Sequence, residues 1–83
     1  MLKLFLINIY YRGSNKSFQF KTADFVVAEK NSVIALEQVG AAIWRTYHIL
    51  QWDLMEHCSS KTKNVGMANP EIRPGILLEK YQK

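Results

Sequence analysis

The run from residue 2 to residue 11, LKLFLINIYY, constrains the fold more than any other part of the chain. Its even-numbered and its odd-numbered positions are both mostly apolar. Because successive strand residues point to opposite faces, this pattern predicts a central strand with neighbours on both sides. Asn8 interrupts the run far short of the roughly 20 apolar residues of a membrane-spanning helix, and no cleavage site follows. We therefore expect a strand, not a signal peptide or a membrane anchor.

The next stretch predicts a hairpin. Its turn is RGSNK at residues 12–16, in which Gly13 and Asn15 tolerate positive φ. A second strand is predicted over residues 17–28. The alternation of apolar residues slips at residues 22–24, which indicates either a β-bulge or a break of the strand in two.

Residues 31 and 32 then start a helix. Asn31 and Ser32 are both good N-cap residues, and the predicted helix runs from about Ser32 to Arg45 or Tyr47. Apolar residues recur at spacings of three and four, which predicts one core-facing stripe. The stripe contains Val33, Leu36, Gly40, Ile43 and Tyr47, widened by Ala35, Val39 and Ala42.

The rest of the chain predicts one more strand and a tail. Residues 49–58 alternate between apolar and polar, which indicates a third strand. Residues 59–70 have loop composition, and residues 71–83 are expected to form a hook or an edge strand. At 83 residues the chain is long enough for one small domain, with its core in residues 2–58.

These elements predict a two-layer α+β fold. The sheet is three- to four-stranded and mainly antiparallel, in the order second, first, third strand, with one helix on one face. The second and third strands are then edge strands. A single helix covers one face only, so the other face needs the C-terminal segment, a second copy of the chain or another protein to cover it.

The sequence gives no catalytic or metal-binding constellation. Adjacent residues His57 and Cys58 point opposite ways in a strand, and there is no C-x-x-C, H-x-x-x-H or glycine-rich phosphate loop. We therefore expect a protein that is not an enzyme and that has no metal or cofactor. One cysteine cannot form an internal disulfide, which fits a cytoplasmic location.

The charge allows a nucleic-acid partner. The chain has 11 basic and 7 acidic residues, a net charge of +4. The segment KSFQF at residues 16–20 loosely follows the central strand of an RNA recognition motif, although Phe18 and Phe20 fit equally well in a core. Cations that could contact phosphates are Arg12, Lys16, Lys21, Lys61 and Lys63.

A protein partner is the leading hypothesis. The domain is small and has surplus apolar sheet surface, with two Trp and four Tyr residues, types that are common at binding hot spots. A second copy of the chain is a further candidate partner, and a membrane is not expected. The candidate partner-binding residues are Tyr11, Arg12, Lys16, Lys21, Trp44, Lys61 and Lys63.

The strand–helix unit FKTADFVVAEKNSVIALEQVGAAI and the segment WDLMEHCSS complete a layout over residues 3–58. In size and layout it resembles small accessory proteins of phages and mobile elements, among them anti-CRISPR proteins. The resemblance implies an inhibitor of a host defence complex. Because the chain is basic, unlike acidic DNA mimics, the resemblance implies direct contact with an effector subunit or with its bound nucleic acid.

Overall fold

The computed structural model describes residues 1–11, 20–47 and 58–81. Within these ranges the four strands form one sheet in the order β3–β1–β2–β4, and every neighbouring pair is antiparallel. One helix of the described residues packs against β1, β2 and β4. The predicted α+β class is confirmed. The elements are β1 (Lys3–Tyr11), β2 (Phe20–Glu29), α1 (Ser32–Tyr47), β3 (Cys58–Met67) and β4 (Gly75–Tyr81).

The central position of β1 is confirmed. It pairs with β2 on one side and with β3 on the other, along its whole length from Lys3 to Tyr11. Its odd-numbered residues Phe5, Ile7 and Ile9 are buried under the helix, whereas its even-numbered residues are only half-buried. The odd-numbered apolar residues of β1 therefore belong to the core, whereas the even-numbered ones lie on the opposite face of the sheet.

The predicted position of the third strand is wrong. We expected a loop over residues 59–70, but most of that segment is strand β3, which ends at Met67. The earlier strand predicted over 49–58 lies outside the described residues except for Cys58. Residues 60–67 are all exposed, which agrees with the polar side chains at most positions of segment 58–67. A strand wet on both faces carries no alternation of apolar and polar residues, so its composition resembles that of a loop.

The C-terminal segment forms an edge strand, one of the two forms expected for it. β4 pairs with β2, so β2 is an interior strand and its predicted edge position is wrong. A turn at residues 69–72 lies between the end of β3 and the start of β4. The Asn69 side chain accepts a hydrogen bond from the Glu71 backbone N–H at 3.0 Å, and the Asn69 carbonyl accepts one from the Ile72 N–H at 2.9 Å.

Of the two alternatives for residues 22–24, a bulge or a break of the strand, the structure shows the bulge. Ile9 pairs with Ala23 and Tyr10 with Lys21, so Thr22 is the extra residue. Both outer strands contain a similar irregularity. Val65 is extra in the β1–β3 pairing, and Leu77 is extra in the β2–β4 pairing. Each bulge shifts the side-chain alternation by one position, so that the strand keeps its apolar residues on the correct face.

The helix has the predicted bounds and the predicted cap. The Asn31 side-chain oxygen accepts a hydrogen bond from the Ile34 N–H at 3.0 Å. The predicted stripe is partly wrong, because Val33 is 64% exposed. The buried face is centred on Ala35, Val39 and Ala42, and Val33 lies about 200° around the helix from Ala35.

The core lies between α1 and the odd-numbered face of β1. Phe25 and Val27 of β2 are fully buried in it, and Phe25 meets the Tyr81 ring edge to face at 5.7 Å between centroids. Small side chains on the helix, such as Ala35 and Ala42, let it lie close to these large residues. The core therefore uses both the helix and the edge strand β4.

A pair of substitutions tests this rotated helix face. Ile7→Val is expected to lower the free energy of unfolding by about 1 kcal/mol, because it removes a buried methylene. Val33→Ala is expected to leave it unchanged or to raise it by a few tenths of a kcal/mol, since alanine is the better helix former at an exposed position. Urea unfolding measures both. A larger loss for Val33→Ala than for Ile7→Val would contradict the assignment of the helix face.

A buried carboxylate ties the end of β2 to the helix. Glu29 is 6% exposed and its carboxylate accepts a hydrogen bond from the Gln38 side-chain amide. A buried charge needs such a partner, because burial removes its hydration. This contact fixes where the helix crosses the end of the strand.

Removing the amide tests that contact. Gln38→Ala is expected to destabilise the fold by about 1–3 kcal/mol in urea unfolding, because the Glu29 carboxylate loses its amide donor. Glu37→Ala is the matched control: the neighbouring residue is exposed, and its loss should change stability by less than about 0.5 kcal/mol. Equal effects of the two substitutions would show that the buried pair has no special role.

Candidate binding surface

The face of the sheet opposite α1 is the candidate functional surface, and we call it the open face. It carries the even-numbered residues of β1 from Leu4 to Tyr10 and the residues paired with them. In the described ranges no helix or strand lies over it, and β4 extends the sheet at its edge without covering this face. Of the three candidates for covering the second face, the C-terminal segment does not cover it through β4.

One half of the open face is apolar. Leu6 pairs with Val26, and Val26 pairs with Leu78, which is 58% exposed. The next row contains Leu4 opposite Ala28. Leu6, Val26 and Leu78 form an apolar strip across β1, β2 and β4, whereas Ala28 beside it is fully buried.

Glycines stand at both ends of the Leu4–Ala28 row. Gly66 lies opposite Leu4 and Gly75 opposite Ala28, with φ of 129° and 133°. No atom lies within 4 Å of the place where a Cβ would stand at either position. The backbone conformation therefore favours glycine there, not a shortage of space. Neither glycine adds a side chain to the row beyond Leu4 or Ala28.

The other half of the open face is polar and basic. Lys61, Asn8, Asp24 and Lys80 form one row across all four strands. At its centre the Asn8 side-chain amide donates a hydrogen bond to the Asp24 carboxylate. A lysine therefore stands at each end of the row, on β3 and on β4.

Tyr10 and the lysines of β3 form one group. The Lys61 ammonium lies 5.2 Å from the centre of the Tyr10 ring, within the range of a cation–π contact. Lys63 lies opposite Leu6, two residues along β3 on the same face. Among the described side chains of the open face, three lysines (Lys61, Lys63 and Lys80) outnumber the one carboxylate of Asp24. The surface thus combines a ring, a basic edge and an apolar strip.

The structure gathers some of the predicted binding residues and separates others. Lys61 and Lys63 lie together on the open face, and Lys21 is opposite Tyr10 in the strand register. Tyr11 ends β1 in the other, odd-numbered set. Trp44 is 46% exposed on the helix, in the other layer. Arg12 and Lys16 lie outside the described residues.

Among the residues of this surface that sequence reasoning missed are Tyr10, Leu78 and Lys80. Their places depend on strand pairing, and both outer strands were uncertain or wrongly placed. A weak signal was present in β3, where Lys61 and Lys63 alternate with uncharged Ser60 and Thr62. Such alternation of charge marks a strand with one basic face.

Catalytic and metal chemistry gain no support from the described residues. In residues 1–11, 20–47 and 58–81 there is no group of three or more His, Cys, Asp or Glu side chains that could hold a metal ion. The two histidines lie outside these ranges. In the same part of the chain, no helix has the length and apolar character needed to cross a membrane.

Comparison with known proteins gives no relative. No family model, no curated protein and no solved structure matches the chain at a significant level. The resemblance to small phage accessory proteins therefore stays a prediction. The open face is the structural feature that bears most directly on function.

Proposed function

We propose that the chain is a non-enzymatic module that binds a macromolecular partner on the open face of its sheet. The observation that supports this most directly is the apolar strip of Leu6, Val26 and Leu78, which no described element covers. Contiguous apolar surface beside charged groups is typical of interaction sites. A role as an inhibitor of a host defence complex is a narrower prediction that rests on the resemblance alone.

The shape of the surface favours a large partner. Four strands spaced about 4.8 Å apart give a face about 14 Å wide from the first strand to the last. Small molecules bind in concave pockets that enclose most of their surface. The described helix and strands form no walls of that kind around the open face, whereas a polymer or a protein can contact many of its residues at once.

The charges disfavour a second copy of the chain as the face-to-face partner. Such pairing would bring the lysines of one open face near those of the other, with a single carboxylate on each side to offset them. Like charges in contact are repulsive, and the cost rises as water is excluded. A partner with negative charge fits the surface better.

Photocrosslinking tests the proposal in the cells from which the gene comes. A benzoylphenylalanine at Leu78 is expected to form covalent adducts with the partner, because this exposed side chain lies on the open face. Val33 is the matched control, since it is also an exposed aliphatic residue but lies on the helix. Adducts are separated by size and treated with nuclease or with protease.

Adducts at Leu78 that exceed those at Val33 support the proposal, whichever enzyme removes them. Equal labelling at the two positions, or no macromolecular adduct at either, would contradict it. Both sites are exposed, so neither replacement is expected to disturb the core.

A further inference from the structure

We propose that the partner is single-stranded nucleic acid, with its phosphates along β3 and a base against Tyr10. This inference rests on the function proposed above and names the class of partner for the same face. It is carried by the placement of Lys61, Lys63 and Tyr10 on adjacent strands of one open surface.

The lysines of β3 provide a track for a charged backbone. Lys61 and Lys63 are two residues apart and are both exposed, so their side chains leave the same face about 6.5 Å apart along the strand. Single-stranded nucleic acid carries a negative charge on every nucleotide, and a basic groove that follows this backbone is the usual mode of binding without base specificity. Two successive phosphates are expected to contact these two ammonium groups.

Tyr10 lies where a base would reach inward from that track. It is next to β3 in the register, opposite Ser59, and the Lys61 ammonium lies over its ring, so a phosphate that draws this ammonium away would free the ring face for a base. A phosphate bound to Lys61 would therefore bring its own base close to an aromatic ring. Stacking of bases on aromatic side chains is the second common component of single-strand binding, and it tolerates any base.

The negative charge at the centre of the open face determines the path that the nucleic-acid backbone takes across the sheet. The Asp24 carboxylate repels phosphates, which keeps the backbone along β3 and away from the middle of the sheet. Bases carry no net charge, so they can extend over Asn8 and over the apolar side chain of Leu6. Lys80, on the far side of Asp24, contributes a longer-range attraction and a smaller effect.

A single strand fits this face better than a duplex or an acidic peptide. A sheet face about 14 Å wide does not enter a major groove of about 12 Å, and paired bases are not free to stack on a side chain. An acidic peptide would use the lysines but would give Tyr10 no base to stack on. The ring beside the basic track is the feature that favours nucleic acid.

Fluorescence anisotropy with a labelled single-stranded 12-mer of mixed sequence, as DNA and as RNA, tests the inference. Two phosphate contacts predict a slope of about −1.4 for the logarithm of affinity against the logarithm of salt concentration. Affinity should then fall about sevenfold between about 50 mM and about 200 mM salt. The double variant Lys61→Gln/Lys63→Gln should lose most of this slope.

The matched control removes the same net charge elsewhere. Lys30→Gln/Arg45→Gln changes two exposed cations outside the four strands and should keep both the affinity and the slope close to those of the parent chain. Equal loss in the two double variants would show attraction by net charge alone and would overturn the inference. The absence of binding at low salt would also overturn it.

Two further sets of measurements test the role of the Tyr10 ring and the class of polymer that binds. Tyr10→Leu should weaken binding about fivefold or more, whereas Tyr10→Phe should keep most of the affinity, because stacking needs the ring and not the hydroxyl. Urea unfolding of both variants shows that the fold is retained. An equal loss in both, tighter binding of a duplex, or tighter binding of a poly-glutamate peptide would overturn the inference. In the last case a protease-sensitive adduct at Leu78 would still support the proposed binding module.

Discussion

The pairing of one helix with a four-stranded sheet is the constraint on which the rest of the structure depends. Within the described residues α1 buries the odd-numbered face of β1, with Ile7 at its centre, and leaves the even-numbered face half-buried. A strand that is apolar on both faces needs cover on both. In residues 1–11, 20–47 and 58–81 a helix supplies this cover on one side only, and the proposed binding surface is the other side.

Local signals in the sequence predicted those parts of the fold that depend on neighbouring residues. The Asn31 cap, the helix bounds and the bulge at Thr22 all come from short-range rules for capping, periodicity and alternation. The rotation of the helix was harder to predict. Val33 is apolar like the core residues, and only contact with the sheet selects the stripe around Val39.

The outer strands mark the limit of sequence reasoning. β3 is exposed on both faces, so hydrophobicity does not distinguish it from a loop, and the alternation of Lys61 and Lys63 with uncharged residues is its one weak periodic signal. β4 is short and joins the sheet through backbone hydrogen bonds, which nearly any sequence can make, while its Ile76 and Tyr81 pack against the core. Lys61 and Lys63 were recognised as candidate cations, but their grouping with Tyr10 and Lys80 appears only once these strands are paired. The site is therefore a property of the sheet register, not of a motif.

The bulges of the two outer strands have a consequence for the behaviour of the chain at high concentration. An apolar face on a sheet with two outer strands invites edge-to-edge growth into larger sheets and aggregates. Val65 in β3 and Leu77 in β4 each interrupt the regular spacing of backbone donors and acceptors along the outer strands. A strand from another molecule therefore meets a ladder broken part of the way along. The irregularities that keep the side chains of the open face aligned therefore also make the borders of the described sheet a poorer template for edge-to-edge pairing.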